Sequence, residues 1–179
     1  ETAFRTLKFE SKPMNKQTRQ CAFNPDSLAS KAKEYFEQHY NCAQSTFGPF
    51  AKQLGLDLEL AFKIATPFGG GMSHAGQVCG AVTGALMAIG LARGITVYDR
   101  EQKYACYDLA KSFQAQFWKA HGDLTCPGLL GYDIGKTHEL ARVREEGLFH
   151  SLCPQLVGDA ARIVGELLNT ADQTLFRQN

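Results

Sequence analysis

Six cysteines, Cys21, Cys42, Cys79, Cys106, Cys126 and Cys153, carry the most versatile chemistry in this chain of 179 residues. A cysteine thiolate is both a nucleophile toward disulfides and a soft ligand for zinc, copper or iron–sulfur centres. Consecutive cysteines lie at least 20 residues apart. That spacing excludes a C-x-x-C dithiol, a zinc knuckle, a ferredoxin run and the C-x-x-C-H attachment of a covalent c-type haem. Any site that these residues share must be assembled by folding.

Three of them stand at expected helix starts. Cys126 and Cys153 are each followed by proline, which is favoured at the first helical position, and Cys79 opens an apolar stretch. A helix N-terminus presents free amides and about half a positive charge, so all three positions favour the thiolate. Cys106 shares a helical face with Ala110, Phe113 and Phe117 and reads as core. Cys21 lies in a basic tail, either incidental or a terminal ligand. Cys42, within a helical pattern, is not sorted by periodicity.

The elements that must position these residues are helical. Asn24-Pro25-Asp26-Ser27 starts a long first helix that the apolar spacing carries through His39 to Phe47. Leu58, Ala61, Phe62 and Ala65 mark a shorter helix that ends at Pro67. Gly69-Gly70-Gly71 then forms a loop with access to backbone angles closed to other residues. Gly76 to Leu91 is the expected central helix, and Gly76, Gly80, Gly84 and Ala88 fall four apart along one face. Glycines cost a helix about 0.5–1 kcal/mol each, so this face implies close approach of another backbone or a bulky cofactor. Asp99 caps a helix ending near His121-Gly122, Thr137 caps a short segment, and the last helix begins at Cys153-Pro154. No alternating run long enough for a strand is present. The expectation is an all-α, single-domain bundle of five or six helices with a glycine-rich central helix; Trp118 and the phenylalanines are assigned to its core.

A net charge of +1 with 44% hydrophobic and 21% charged residues describes a globular chain and argues against a strongly basic nucleic-acid binder. The apolar run Val78 to Ala92 is shorter than the roughly 20 residues a membrane span requires. Residues 1–23 read as a basic N-terminal extension and 24–179 as the helical domain. The chain opens at Glu1: a periplasmic location is expected if a leader was removed, a cytoplasmic one otherwise. His39, His74, His121, His138 and His150 are scattered, and no nucleophile-elbow, HExxH or P-loop motif is present. His74 alone lies in the central motif, as a polar loop histidine, a ligand or a proton donor.

These residues in order resemble the C_GCAxxG_C_C family of redox-active proteins. Asn41-Cys42-Ala43-Gln44 is similar to its first cysteine motif. Phe68 to Met72 with Gly76-Gln77-Val78-Cys79-Gly80-Ala81-Val82-Thr83-Gly84-Ala85 is similar to its glycine-rich centre. Cys126 with Leu129 to Asp133, and Cys153-Pro154 with Val157 and Asp159 to Ala161, resemble the third and fourth motifs. The likeness spans roughly residues 28–168 and leaves Cys21 and Cys106 as extras. In this chain the order is Cys-Gly-Ala, not the Gly-Cys-Ala of the family's title.

Split-Soret cytochromes join a related domain to haem and an iron–sulfur centre; without the haem attachment motif, only the cluster carries over. The first reading is therefore an electron-transfer protein in which Cys42, Cys79, Cys126 and Cys153 ligate an iron–sulfur cluster or another thiolate-bound metal. Gly69, Gly70, Gly71, Gly80 and Gly84 would let backbone amides approach the cluster. A redox partner protein and a homodimer are expected. One alternative is thiol–disulfide exchange with Cys79 as attacking thiolate. The other is a helical binding module with structural cysteines.

Overall fold

The computed structural model describes residues 22–176, and Cys21 and nearly all of the basic extension lie outside them. The helices are α1 (Pro25–Glu37), α2 (Cys42–Gln53), α3 (Leu58–Ala65), α4 (Gly80–Arg93), α5 (Arg100–His121), α6 (Cys126–Leu130), α7 (Thr137–Glu145), α8 (Leu148–Ser151) and α9 (Cys153–Phe176). Among the described residues there is no strand, and the all-α expectation holds. Among the described residues no helix is long and apolar enough to cross a membrane.

The expected first helix is two helices. The chain turns at His39, whose φ of 69° lies in the left-handed region, and α2 begins afresh at Cys42. Asn41 drives the restart. Its side chain accepts from the N–H groups of Ala43 and Gln44, while Gln44 Oε1 accepts from the Asn41 N–H at 3.0 Å, a reciprocal capping box. The central helix starts later than its apolar pattern, at Gly80, with Cys79 as its N-cap. Gly76 lies outside it at φ 66°. Lys136, not Thr137, is the N-cap of α7.

The core forms where α1 packs on α9 and α2 on α4, with α5 packed against both α4 and α9. The small face of α4 is filled by backbone. A Cβ on Gly84 would sit 2.6 Å from the Ala43 carbonyl oxygen, and one on Gly80 3.0 Å from the Ala43 nitrogen. That close approach offsets the helix cost of the two glycines, because no larger residue would let α2 and α4 meet. Phe113 and Phe117 of α5 are fully buried, but Trp118 is 58% exposed and does not belong to the core. Phe23, just before α1, is buried against Phe50 and exchanges two backbone hydrogen bonds with the Asn169 side chain.

A candidate redox site of four cysteines

Four helix starts converge. Cys42, Cys126 and Cys153 are the first residues of α2, α6 and α9, and Cys79 caps α4. All four are buried, between 2% and 7% exposed, and none is in a disulfide. Cys42 thus shares the placement that the sequence showed only for the other three.

The four thiols form two contacting pairs, Cys42 with Cys153 and Cys79 with Cys126, and the pairs feel one another's charge. A short loop-to-loop bridge aligns the second pair. Val78 and Thr125 face each other in antiparallel register, with the Cys79 N–H donating to the Leu124 carbonyl at 2.9 Å and the Cys126 N–H to the Gln77 carbonyl at 3.0 Å. Asp123 braces the neighbouring turn by accepting from Leu124, Thr125 and the Thr125 hydroxyl. Those bonds hold its carboxyl below the ordinary range.

Electrostatics separate Cys79 from Cys126. Cys79 is held below the usual thiol range by the Cys126 S–H donated to it, and then, against burial, by the Ala81 and Val82 N–H groups at the start of α4. Cys126 is pushed strongly up by the proton it donates to Cys79, by burial and by the neighbouring thiolate charge; the Gly80 N–H only partly opposes this. Its helix start therefore does not make it a ready thiolate, contrary to the expectation. Cys42 is likewise pushed up, first through the hydrogen bond with Cys153, then by burial and the surrounding sulfurs.

The glycine loop is more constrained than a flexible connection. After a 3₁₀ turn at Thr66–Phe68, Gly70, Gly71, Met72, Ser73 and His74 all have φ between 58° and 64°, a single turn of left-handed helix. Such a turn costs roughly 1–2 kcal/mol for each residue that carries a Cβ, so Met72, Ser73 and His74 are strained positions beside the site. At Gly71, φ 63°, a Cβ would lie 3.0 Å from Cys126 Cβ and 3.1 Å from Cys126 Sγ, closer than ordinary contact, so glycine is favoured there.

The expected glycines take different roles. Gly71 and Gly80 touch Cys126 and Cys42, Gly69 packs on the Asn41 side chain, Gly70 carries the His74 ring, and Gly84 faces α2 away from the sulfurs. Gly71 and Gly80 thereby bring backbone against the cysteines. Cys106 lies half-buried on α5, where desolvation raises its thiol. Among the described residues, no group of three or more His, Cys, Asp or Glu side chains is placed to hold a single metal ion.

Sequence reasoning missed the Asn41–Gln44 box, whose three-residue spacing is itself a legible start signal. Gln44 also ties the site to α3 by donating to the Phe62 carbonyl and the Thr66 hydroxyl. The chain has no match among curated proteins or among solved structures. The family described as Putative redox-active protein (C_GCAxxG_C_C) matches residues 40–167, a span that contains all four clustered cysteines, the capping box and the left-handed turn. The chain belongs to that family of cysteine-bearing redox proteins.

Proposed function

We propose that this protein is an electron carrier in which Cys42, Cys79, Cys126 and Cys153 hold an iron–sulfur cluster. The observation that carries the reading is the pairing of four buried thiols drawn from four helix starts. Iron–sulfur clusters take four thiolates, and a two-iron cluster takes two at each iron, which suits two pairs better than a mononuclear site does. The donor set is uniform and soft, with no carboxylate or imidazole in the tetrad. A bound cluster would supply reversible electron transfer.

The protein's own residues would do the rest. The Ala81 and Val82 N–H groups donate to Cys79 and the Gly80 N–H to Cys126, and such bonds favour the more reduced, more negative state. Burial excludes water, and the rigid helix starts limit the movement needed between redox states. The test is iron and acid-labile sulfide content of protein purified without oxygen, together with its absorption spectrum. Stoichiometric iron and sulfide with broad visible absorbance bleached by dithionite is the expected result.

A second reading rests on one specific feature, the depressed Cys79 thiol in contact with the protonated Cys126 thiol. That is the arrangement of an attacking thiolate and its resolving partner. Iron-free protein whose thiol count falls by two on oxidation would replace the cluster with this chemistry.

A further inference from the structure

A cleft of about 420 Å³ is lined in part by Cys42, and neither Cys79 nor Cys126 lines it. Phe36, Tyr40 and Phe149 line it together with three histidines, His39, His74 and His150, each of them exposed to solvent. Pro154, the residue after Cys153, also lines it. The lining comes from four separate places: the α1–α2 connection, the left-handed turn, α8 and the start of α9.

Two of the imidazoles are held there at a cost. His39 and His74 have φ of 69° and 63°, and His74 rests its ring on Gly70, where a Cβ would overlap it. The wall is fixed as well: the Tyr40 ring packs against Phe62 with centroids 4.2 Å apart. A cleft of this size falls within the range of small-molecule sites, which combine apolar walls with a few converging polar groups.

We infer that this cleft binds a small planar aromatic molecule bearing carbonyl oxygens, of the quinone class. Ring faces match Phe36, Tyr40 and Phe149, and carbonyl oxygens are acceptors for imidazole N–H groups. An inorganic anion would use the imidazoles but leave the aromatic walls without a partner, and it would meet Glu37, which also lines the cleft. A purely apolar ligand would leave the imidazoles unused. The site does not depend on whether the cysteines hold a cluster or exchange disulfides.

Duroquinone is a suitable probe, because methyl groups occupy every ring carbon that a thiol would attack. Equilibrium dialysis against the full chain as purified should show saturable one-to-one binding. Phe149→Ala and His150→Phe, both at ordinary backbone positions, should each weaken it about tenfold, whereas Trp118→Ala on the outer face of α5 should leave it unchanged. The His150→Phe variant keeps a ring and removes the N–H donor. Equal binding by that variant, non-saturable uptake, or loss of binding in Trp118→Ala would overturn the inference. The measurement reads neither iron nor disulfide, so its failure and the failure of the electron-carrier reading are separate results.

Discussion

The cysteine tetrad and the outer helix α5 use the same residue type to opposite ends. In the tetrad, each sulfur sits at a helix start where free amides point outward, and four such starts are turned toward one buried space. On α5, Cys106 lies in mid-helix, where the backbone amides are already bonded within the helix and only desolvation acts on the thiol. A helix start alone does not decide which thiol is activated, since Cys42 and Cys126 also begin helices and are pushed up; Cys79 is lowered because a second thiol donates to it as well.

The largest contrast should come from serine substitution. Cys79→Ser or Cys153→Ser should abolish cluster retention, read as iron per chain, while Cys106→Ser should keep full iron and change only the melting temperature. Iron loss in Cys106→Ser would erase the distinction between the two regions.

Next in size is the seam that brings two of the helix starts together. Gly84→Ala puts a methyl group 2.6 Å from the Ala43 carbonyl oxygen. It should destabilise the protein by about 1–3 kcal/mol in a denaturant titration, as overpacking does. Gly90→Ala, on the same helix with open space around it, should not destabilise it and thus isolates the steric cause.

A smaller pair of changes tests the left-handed turn against α5. Met72→Gly removes a Cβ from a residue at φ 64° and should raise stability by about 1 kcal/mol. The mirror experiment, Ala115→Gly on the exposed side of α5, should lower it by about 0.5–1 kcal/mol. Equal effects in the two places would mean that the turn stores no strain.

The smallest effect concerns pH. His121, at the end of α5, packs its ring at a tilt against Phe117 and stands 3.5 Å from the Asp159 carboxylate without a hydrogen bond to it. Burial holds its imidazole below the ordinary histidine range, with Asp159 opposing. The folded protein thus takes up this proton less readily than the unfolded chain. Its contribution is complete above the unfolded value near 6.5 and is lost as pH falls from there through the folded one. Melting curves across that window should show a shallow decline that His121→Phe flattens.

Much of this architecture is legible from local signals. Asp99 caps where its sequence says, and Cys126-Pro127 and Cys153-Pro154 do open helices. The break at His39 was hidden because apolar residues on both sides keep one helical period, and only the Asn41–Gln44 box marks the restart. Trp118 misleads for a related reason: its neighbour Phe117 takes the buried position, and a one-residue step turns the indole to the outside. The sulfur pairs lie beyond any local reading. Cys79 meets Cys126 through a bridge between distant loops, and nothing near either residue specifies the other.

That bridge also sets how the molecule opens. The amides of Cys79 and Cys126 each donate across it, so separating the two loops breaks both bonds. Because α4 and α6 begin at these two loops, the central helix and the short helix behind it should unfold as one cooperative unit. In hydrogen-exchange labelling the two cysteine amides should therefore exchange slowly and at a common rate, although neither lies in the middle of a helix.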